Sequence, residues 1–195
     1  MKLNAGCGRD YLEGWINIDI NPSVKADFYM PAYELNFEDG IFEEIRASHL
    51  IEHLGFFKSK YFLSEAYRTM RDGGRLLIET PHIEKTFENF LSARSPKERE
   101  IVLGWVYGSE TAWQNHLYCF PLELLDSLLC SAGFSIAQKE FYDYEPLRAA
   151  VRIKAHKKSS VEKDRISALR KKALKDGKVD FSDEISMAEI ERTFL

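Results

Sequence analysis

A glycine turn directly after the first apolar run constrains the fold of this chain more than any other feature. Lys2–Ala5 is predicted as a strand that enters the Gly-Cys-Gly turn at residues 6–8, and a second apolar run at 15–20 contains Asp19 near its end. Glycines at such a turn let backbone N–H groups approach a ligand closely. An acidic residue at the end of the second strand is placed to accept hydrogen bonds from ribose hydroxyls. The pattern predicts a ligand that contains a ribose.

The connection between these two strands is too short for a dinucleotide-binding fold. That fold needs a third glycine and a full helix, whose N-terminus receives the pyrophosphate. Here Asp10 lies near the place of the third glycine, and only the segment RDYLEG separates the turn from the second strand. An acidic residue and a truncated helix are poor hosts for pyrophosphate. The connection therefore favours a ligand with a ribose and without phosphate.

Short apolar runs alternate with amphipathic stretches over most of the chain. Further strands are predicted at 26–29, 43–48, 75–79, 135–141 and 149–155, and helices at 58–71, over most of 83–116 and at 121–132. Strands that alternate with crossovers indicate an α/β domain with a mostly parallel sheet. The last two strands are joined by the segment YDYEP, which is too short for a parallel crossover. We therefore expect these two strands to be antiparallel neighbours.

Composition and charge argue against several classes of protein. The chain has 195 residues and a formal net charge of −4. Nucleic-acid binders are usually basic, and no basic patch interleaved with aromatic residues occurs in the domain, so no nucleic-acid partner is predicted. The three cysteines are too few and too scattered for a disulfide framework or a zinc site, and no metal site is predicted. We see no signal peptide and no membrane span, and expect a cytoplasmic protein without a membrane partner.

Five segments occur in the order and spacing of a known family. They are LNAGCG, INIDINP, FEEIRASHLIEHL, YRTMRDGGRLLIETP and LLCSAGF, and they span about residues 2–155. In these segments the chain resembles the class I S-adenosylmethionine-dependent methyltransferases. The similarity is closest to small methyltransferase-11-like members whose first motif continues into Gly-Trp-x-Asn-x-Asp. It implies a Rossmann-like, mostly parallel seven-stranded sheet with an antiparallel last strand, and S-adenosyl-L-methionine as the cofactor.

The resemblance also implies which residues contact the cofactor. They are Gly6, Cys7 and Gly8 at the methionine part, Asp19 at the ribose, Ile20 and Met30 at the adenine, Ser48 and His49 beside the methionine and the transferring methyl group, and Asn4. Asn4 stands where many relatives have an aspartate, which implies a weaker or neutral interaction with the amino group. Met30 and Pro31 stand near the place of an adenine-binding aspartate in many relatives. Asp27 lies a few residues too early to replace it, so adenine recognition is expected to rest on packing and backbone groups.

Histidines near the strand ends are candidates for a general base, which helps methyl transfer to a hydroxyl or a protonated amine. We predict His116 as the catalytic base and His82 as the second candidate, with a polar packing role as the alternative for either. His49 is expected to line the cofactor pocket, and His53 to belong to a structural helix start.

The segment 83–117 is longer than a simple connection and rich in aromatic residues. We predict that it forms a helical lid over the acceptor site, with Glu110, Trp113 and Gln114 facing the acceptor. Extra core packing is the alternative interpretation.

The chain is expected to form one domain and a charged tail. We predict a methyltransferase domain at 1–156, which includes the lid, and a charged helical tail at 157–195. The first two connections of the sheet are too short for covering helices, whereas parallel sheets normally have both faces covered. The tail is therefore expected to cover that half of its own sheet or to form a homodimer, so that its deletion exposes apolar surface. A solvated tail is the alternative.

The function that these observations favour is S-adenosylmethionine-dependent transfer of a methyl group to an oxygen or nitrogen atom of a small molecule. A sugar or a secondary metabolite is the expected acceptor. The departures at Asn4 and Pro31 leave open a non-catalytic S-adenosylmethionine-binding or regulatory homologue. A nucleotide-dependent oxidoreductase is disfavoured, because the features that bind phosphate are missing.

Overall fold

A seven-stranded sheet forms the centre of the computed structural model, which describes residues 1–158. Its strands are β1 Lys2–Ala5, β2 Ile16–Asp19, β3 Phe28–Tyr29, β4 Phe42–Ser48, β5 Met70–Pro81, β6 Phe134–Glu145 and β7 Arg148–Lys157. They lie in the order β3-β2-β1-β4-β5-β7-β6. Only β7 runs antiparallel to its neighbours β5 and β6 among these strands, and the other pairs are parallel. The predicted Rossmann-like sheet with an antiparallel last strand is confirmed.

Four helices connect the strands of the second half of the sheet. They are α1 Ile51–Thr69, α2 Ile83–Ser92, α3 Pro96–Tyr107 and α4 Leu122–Ser131. The first begins at Ile51 rather than at residue 58 as predicted, and it is kinked at Gly55, whose backbone leaves the helical region (φ 74°, ψ −178°). The kink separates residues 51–54, at the start of α1, from the amphipathic pattern that predicted the rest of the helix. No helix within residues 1–158 is long and apolar enough to span a bilayer.

One face of the sheet carries the apolar core. Ile45 of β4 pairs with Leu76 of β5, which in turn pairs with Ala155 of β7, and these three side chains are buried. Phe62 and Ala66 of α1 are fully buried as well. Each fully buried side chain of leucine or isoleucine size contributes about 1.5–3 kcal/mol through removal from water. The buried residues of α1 therefore pack where this helix contacts β4 and β5.

The first half of the sheet is connected without helices, as the short connections predicted. Residues 6–15, 20–27 and 30–41 contain turns and bends only. Side-chain hydrogen bonds hold these connections instead. Asp27 accepts from the Asn17 backbone N–H at 2.7 Å and from the Tyr11 hydroxyl at 2.8 Å. Asn4 donates through Nδ2 to the Asp10 carbonyl at 2.7 Å, which fastens the first loop over β1.

The opposite face of the described strands is charged rather than apolar. One row of ion pairs joins Lys2, Glu44 and Arg75, with nitrogen–oxygen distances of 3.2 and 3.1 Å. A second row joins Arg46, Glu79, Arg152 and Glu140 at 3.5, 2.7 and 3.0 Å. Such a face can meet water without an apolar cover. The two rows lie on β1, β4, β5, β6 and β7, and the cover expected over the first half of the sheet stays a prediction. The tail from residue 159 onwards lies outside the described residues, and its predicted covering or dimerisation role stays a prediction.

The second row of ion pairs supplies a stability test. Burial raises the pKa of Glu79, but hydrogen bonds from Ser48 and Arg152 outweigh burial and hold this pKa below its ordinary value. Because the folded-state pKa lies below the unfolded one, the carboxylate stabilises the fold above the unfolded pKa, and this stabilisation is lost as the pH falls through the folded pKa. We predict that Glu79→Gln lowers the free energy of unfolding by about 1–3 kcal/mol at neutral pH. In urea denaturation at neutral and at acidic pH, the variant should lose less stability on acidification than the native protein.

Glu140 provides the matched control, because it lies at the solvent-exposed end of the same row. An exposed pair contributes little, so Glu140→Gln should change the free energy of unfolding by no more than about 1 kcal/mol. Equal effects of the two variants would contradict the importance of the buried carboxylate.

Candidate active site

The turn after β1 requires glycine at two positions. Gly6 and Gly8 have φ values of 64° and 52°, a region that side chains with a Cβ atom rarely adopt. A Cβ atom on Gly6 would lie 2.6 Å from Cδ1 of Leu50, whereas one on Gly8 would meet no atom within 4 Å. The backbone N–H of Cys7 donates to the Ile18 carbonyl at 2.9 Å, which fastens the turn to β2. The turn therefore lies at the edge where the parallel strands β1 and β2 end.

Asp19 joins the turn to the loop after β2. Its Oδ2 accepts from the Gly8 backbone N–H at 2.7 Å, and its Oδ1 accepts from the Asn21 backbone N–H at 2.8 Å. The residue is buried, with 9% of its surface exposed. A carboxylate oxygen can accept more than one hydrogen bond, so each oxygen keeps capacity for a ligand hydroxyl. This position matches the predicted role at a ribose.

A small cleft opens beside Asp19. Its volume is about 50 Å³, and its lining includes Ile20, Met30 and Pro31. Ile20 is 45% exposed, so its side chain is available to pack against a ligand. Asp19 is the only acidic residue among those that line the cleft. An apolar cleft of this kind suits the face of a flat ring.

Asn4 has a different environment from the other predicted cofactor residues. It is fully buried, and its Nδ2 donates to Asp10 as described and to Oδ1 of Asn17 at 3.0 Å. Its Oδ1 accepts from a guanidinium nitrogen of Arg46 at 3.1 Å. Asn4 is not among the residues that line a cavity next to the turn. The structure gives it a part in holding the first loop, and a cofactor contact stays a prediction.

A large open cavity runs along the carboxyl ends of the strands. It extends from the glycine turn past Ser48 and His49 to the loop 108–117, and its volume is about 1520 Å³. Sites for a single drug-sized ligand have volumes of roughly 300–1,000 Å³. The cavity therefore has room for two ligands side by side.

The predicted lid divides into two parts. In α3, Val102 is fully buried, and Trp105 is buried and donates through Nε1 to the Ala149 carbonyl of β7 at 2.8 Å. Val102 packs in the core, which was the alternative interpretation, whereas the buried Trp105 also lines the cavity, so α3 contributes both to the core and to the cavity wall. The loop 108–117 also borders the cavity, with Trp113 and Gln114 among the lining residues. Glu110 is exposed and is not among them, so its acceptor contact stays a prediction.

The two predicted bases lie in different places. His116 lines the cavity, and burial lowers its pKa. His82 precedes α2, where its ring lies 4.9 Å from the ring of Phe141 and its Nε2 lies 3.4 Å from Oε2 of Glu84. His82 is not among the residues that line the cavity. Only His116 of the two therefore borders the space for a second ligand.

Glu52 is a site residue that the sequence reasoning missed. It is fully buried, and its Oε1 lies 3.0 Å from Nδ1 of His49, while its Oε2 accepts from the Thr80 hydroxyl at 3.0 Å. Burial raises the pKa of Glu52, but the hydrogen bond to His49 and the nearby histidines outweigh burial and lower it. The Glu52-His53 pair was interpreted as a helix start. The sequence signal for a site role is the carboxylate of Glu52 between His49 and His53, two histidines at helical spacing in an otherwise apolar segment.

Solved structures with the same architecture decide the fold. This chain resembles a methyltransferase from Methanosarcina mazei, with a TM-score of 0.59 and 17% identity. The match covers 82% of this chain and 92% of the Methanosarcina mazei chain. The chain has the fold of class I S-adenosylmethionine-dependent methyltransferases. A methyltransferase from Archaeoglobus fulgidus has a TM-score of 0.59 and 20% identity over 80% of this chain and 85% of the other. No protein-family model matches the sequence, and no curated protein matches it significantly.

A third structure with the methyltransferase fold contains two ligands. It is the 1,6-didemethyltoxoflavin-N1-methyltransferase of Burkholderia thailandensis, with bound 1,6-didemethyltoxoflavin and S-adenosylhomocysteine. It is 15% identical to this chain, with a TM-score of 0.57 over 81% of this chain and 71% of the other. These comparisons confirm the fold that the sequence resemblance implied.

The two glycines of the turn allow a matched test of its geometry. Both positions have positive φ, which costs a residue with a Cβ atom about 1–2 kcal/mol. Only at Gly6 must the added Cβ also displace Leu50. We predict that Gly6→Ala destabilises the protein by about 1 kcal/mol or more beyond Gly8→Ala. Urea denaturation of both variants measures the difference, and equal destabilisation would show that the turn has room at Gly6.

Proposed function

We propose that this protein is an S-adenosylmethionine-dependent methyltransferase that methylates an oxygen or nitrogen atom of a small molecule. One observation carries the proposal. A glycine turn and a buried aspartate meet at the carboxyl ends of β1 and β2, where the Gly8 N–H and Asp19 Oδ2 are 2.7 Å apart. In open α/β sheets this edge is where ligands bind.

The residues around this contact have the chemistry that the cofactor needs. Asp19 would accept from the ribose hydroxyls, and Ile20 and Met30 would pack against a face of the adenine beside the small cleft. Five residues are expected at the methionine end, and all of them line the large cavity. They are Gly6, Cys7, Gly8, Ser48 and His49. When bound, S-adenosyl-L-methionine supplies an electrophilic methyl group on a sulfonium.

The same edge is a poor site for a nicotinamide dinucleotide. The connection at residues 6–15 contains no helix whose N-terminus could receive a pyrophosphate. Asp10 lines the cavity close to the turn, where its carboxylate pairs with Arg46 at 3.3 Å. Without a helix N-terminus at residues 6–15, a diphosphate lacks its usual anion site. This supports the choice of methyl transfer over hydride transfer.

We assign the acceptor to the part of the cavity next to the loop 108–117. Trp113 and Gln114 would contact the acceptor, and Trp105 and Tyr144, whose rings stack at 5.4 Å, would offer an aromatic wall. The lowered pKa of His116 leaves its imidazole neutral at neutral pH, so it can accept the proton that the acceptor loses. His82 remains the second candidate for this role.

The identity of the acceptor is proposed only as a class. The Burkholderia thailandensis enzyme with the same fold was crystallised with a small ring compound, which supports a small-molecule acceptor. We propose a sugar or secondary metabolite, with no nucleic-acid partner and a cytoplasmic location. Homodimer formation through the tail belongs to the same proposal.

Calorimetry with S-adenosylhomocysteine tests the cofactor assignment. We predict that Asp19→Asn weakens binding at least about tenfold, because the amide presents N–H groups where the native carboxylate accepts hydrogen bonds. Asp39→Asn is the control, since Asp39 is an exposed partner of Arg68 away from the cavity. NAD should not bind measurably. Protection from thermal unfolding by NAD and not by S-adenosylhomocysteine would overturn the proposal.

A turnover assay with a panel of acceptors then separates an enzyme from a binding protein. The native protein should form S-adenosylhomocysteine with at least one hydroxyl- or amine-bearing small molecule. Cofactor binding without any methylated product over a broad panel would favour the non-catalytic homologue.

A further inference from the structure

We propose that Glu52, His53 and His116 form a binding site for a divalent transition-metal ion at the acceptor end of the cavity. One carboxylate oxygen and one ring nitrogen from each histidine lie within 4.8 Å of one another. His53 and His116 both line the cavity, so an ion held by them would be accessible to a ligand there. Two imidazoles and a carboxylate are a donor set that suits zinc, iron and similar ions.

The distances are close to those of a coordinated ion. A metal–nitrogen bond of about 2.0–2.1 Å places the ligand atoms of one ion roughly 3–4 Å apart. Contraction of the widest separation by about 1 Å through side-chain rotation would complete the site. The rings of His53 and His116 lie with centroids 4.8 Å apart at 73°, an edge-on arrangement in which both rings can direct a nitrogen to one point.

Neighbouring groups orient the proposed ligands. Nδ1 of His53 lies 3.0 Å from the Asn115 carbonyl oxygen, which can only accept, so Nδ1 carries the proton and Nε2 keeps its lone pair. Glu52 contacts Nδ1 of His49 and the hydroxyl of Thr80, as described above. Partners of this kind fix the tautomer and direction of ligands in known metal sites.

A buried nitrogen of His116 supports the site independently. Nδ1 of His116 is buried and has no hydrogen-bond partner among residues 1–158. An unpaired buried polar atom destabilises the fold. An ion coordinated through Nδ1 would satisfy this nitrogen and would also balance the charge of the fully buried Glu52 carboxylate.

The backbone holds these residues together although they are distant in sequence. The N–H groups of Leu117 and Tyr118 donate to the Glu52 carbonyl at 2.8 and 3.2 Å. At the kink of α1, a Cβ atom on Gly55 would lie 3.2 Å from Cβ of Leu117, so glycine permits this close approach. The start of α1 and the loop after α3 are therefore fastened at the point where the proposed ligands meet.

The ion would have open coordination positions toward the cavity. Three protein ligands leave room for an oxygen of the acceptor, and a bound ion lowers the pKa of such a hydroxyl. The acceptor would then lose its proton to water, while His116 serves as a ligand instead of a base. This catalytic part of the inference rests on the methyl transfer proposed above, whereas the binding of the ion does not.

Titration of the chelator-treated full-length protein with Zn²⁺ and Co²⁺ tests the site. We expect one ion per chain with a dissociation constant on the order of micromolar or tighter, and visible absorption for Co²⁺. His53→Gln and His116→Gln should each weaken binding at least about tenfold. His156→Gln is the control, because His156 is exposed on β7, and this variant should bind as the native protein does. Circular dichroism should show that all three variants are folded.

The outcomes separate this inference from the proposed function. Absence of stoichiometric binding by the native protein, or equal binding by His116→Gln, would overturn the metal site whatever the protein does with S-adenosylhomocysteine. Ion binding without S-adenosylhomocysteine binding would leave the site intact and overturn the methyl transfer. If S-adenosylhomocysteine binds and product forms, added ion should raise the rate of the chelator-treated enzyme and lower the pH at which it becomes active. An unchanged rate and pH profile would overturn the catalytic role of the ion.

Discussion

The hydrogen bonds that replace helices in the first half of the sheet set the position of the rest of the site. Asp27 holds Asn17 and Tyr11, and Asn4 holds the loop at Asp10, so the chain between the first strands is fastened without an apolar layer. This arrangement leaves the turn at Gly6 and Gly8 open toward the cavity. A full helix at this place would bring an N-terminus suited to phosphate, and the short loop does not.

The second constraint is the close approach between the start of α1 and the loop after α3. The Glu52 carbonyl accepts from Leu117, and Gly55 leaves space for the side chain of that residue. The buried Glu52 carboxylate consequently lies among three histidines at the cavity wall. The cavity thus has two chemically different ends, one at the glycine turn and Asp19 and one lined by histidines.

Most of the sheet could be predicted from the residues alone. The alternation of apolar runs and crossovers located the strands, and the short YDYEP segment correctly indicated an antiparallel pair, since β6 and β7 are joined by a tight turn. The start of α1 before residue 58 was missed, because the kink at Gly55 interrupts the amphipathic pattern from which the helix was predicted. The charged face was also missed. The prediction followed the rule that parallel sheets are covered on both faces, and it did not take account of the charged residues that alternate along β4 and β5.

The sequence by itself determined the glycine turn and the aspartate at the end of the second strand, because these features depend on local backbone geometry and on short spacing. Only the tertiary structure decided that Glu52 and His53 meet His116, and that His82 lies apart from the cavity. The physical reason is that burial and the convergence of side chains arise from contacts between segments distant in the chain. Backbone hydrogen bonds between α1 and residues 117–118 create those contacts, and no local pattern encodes them.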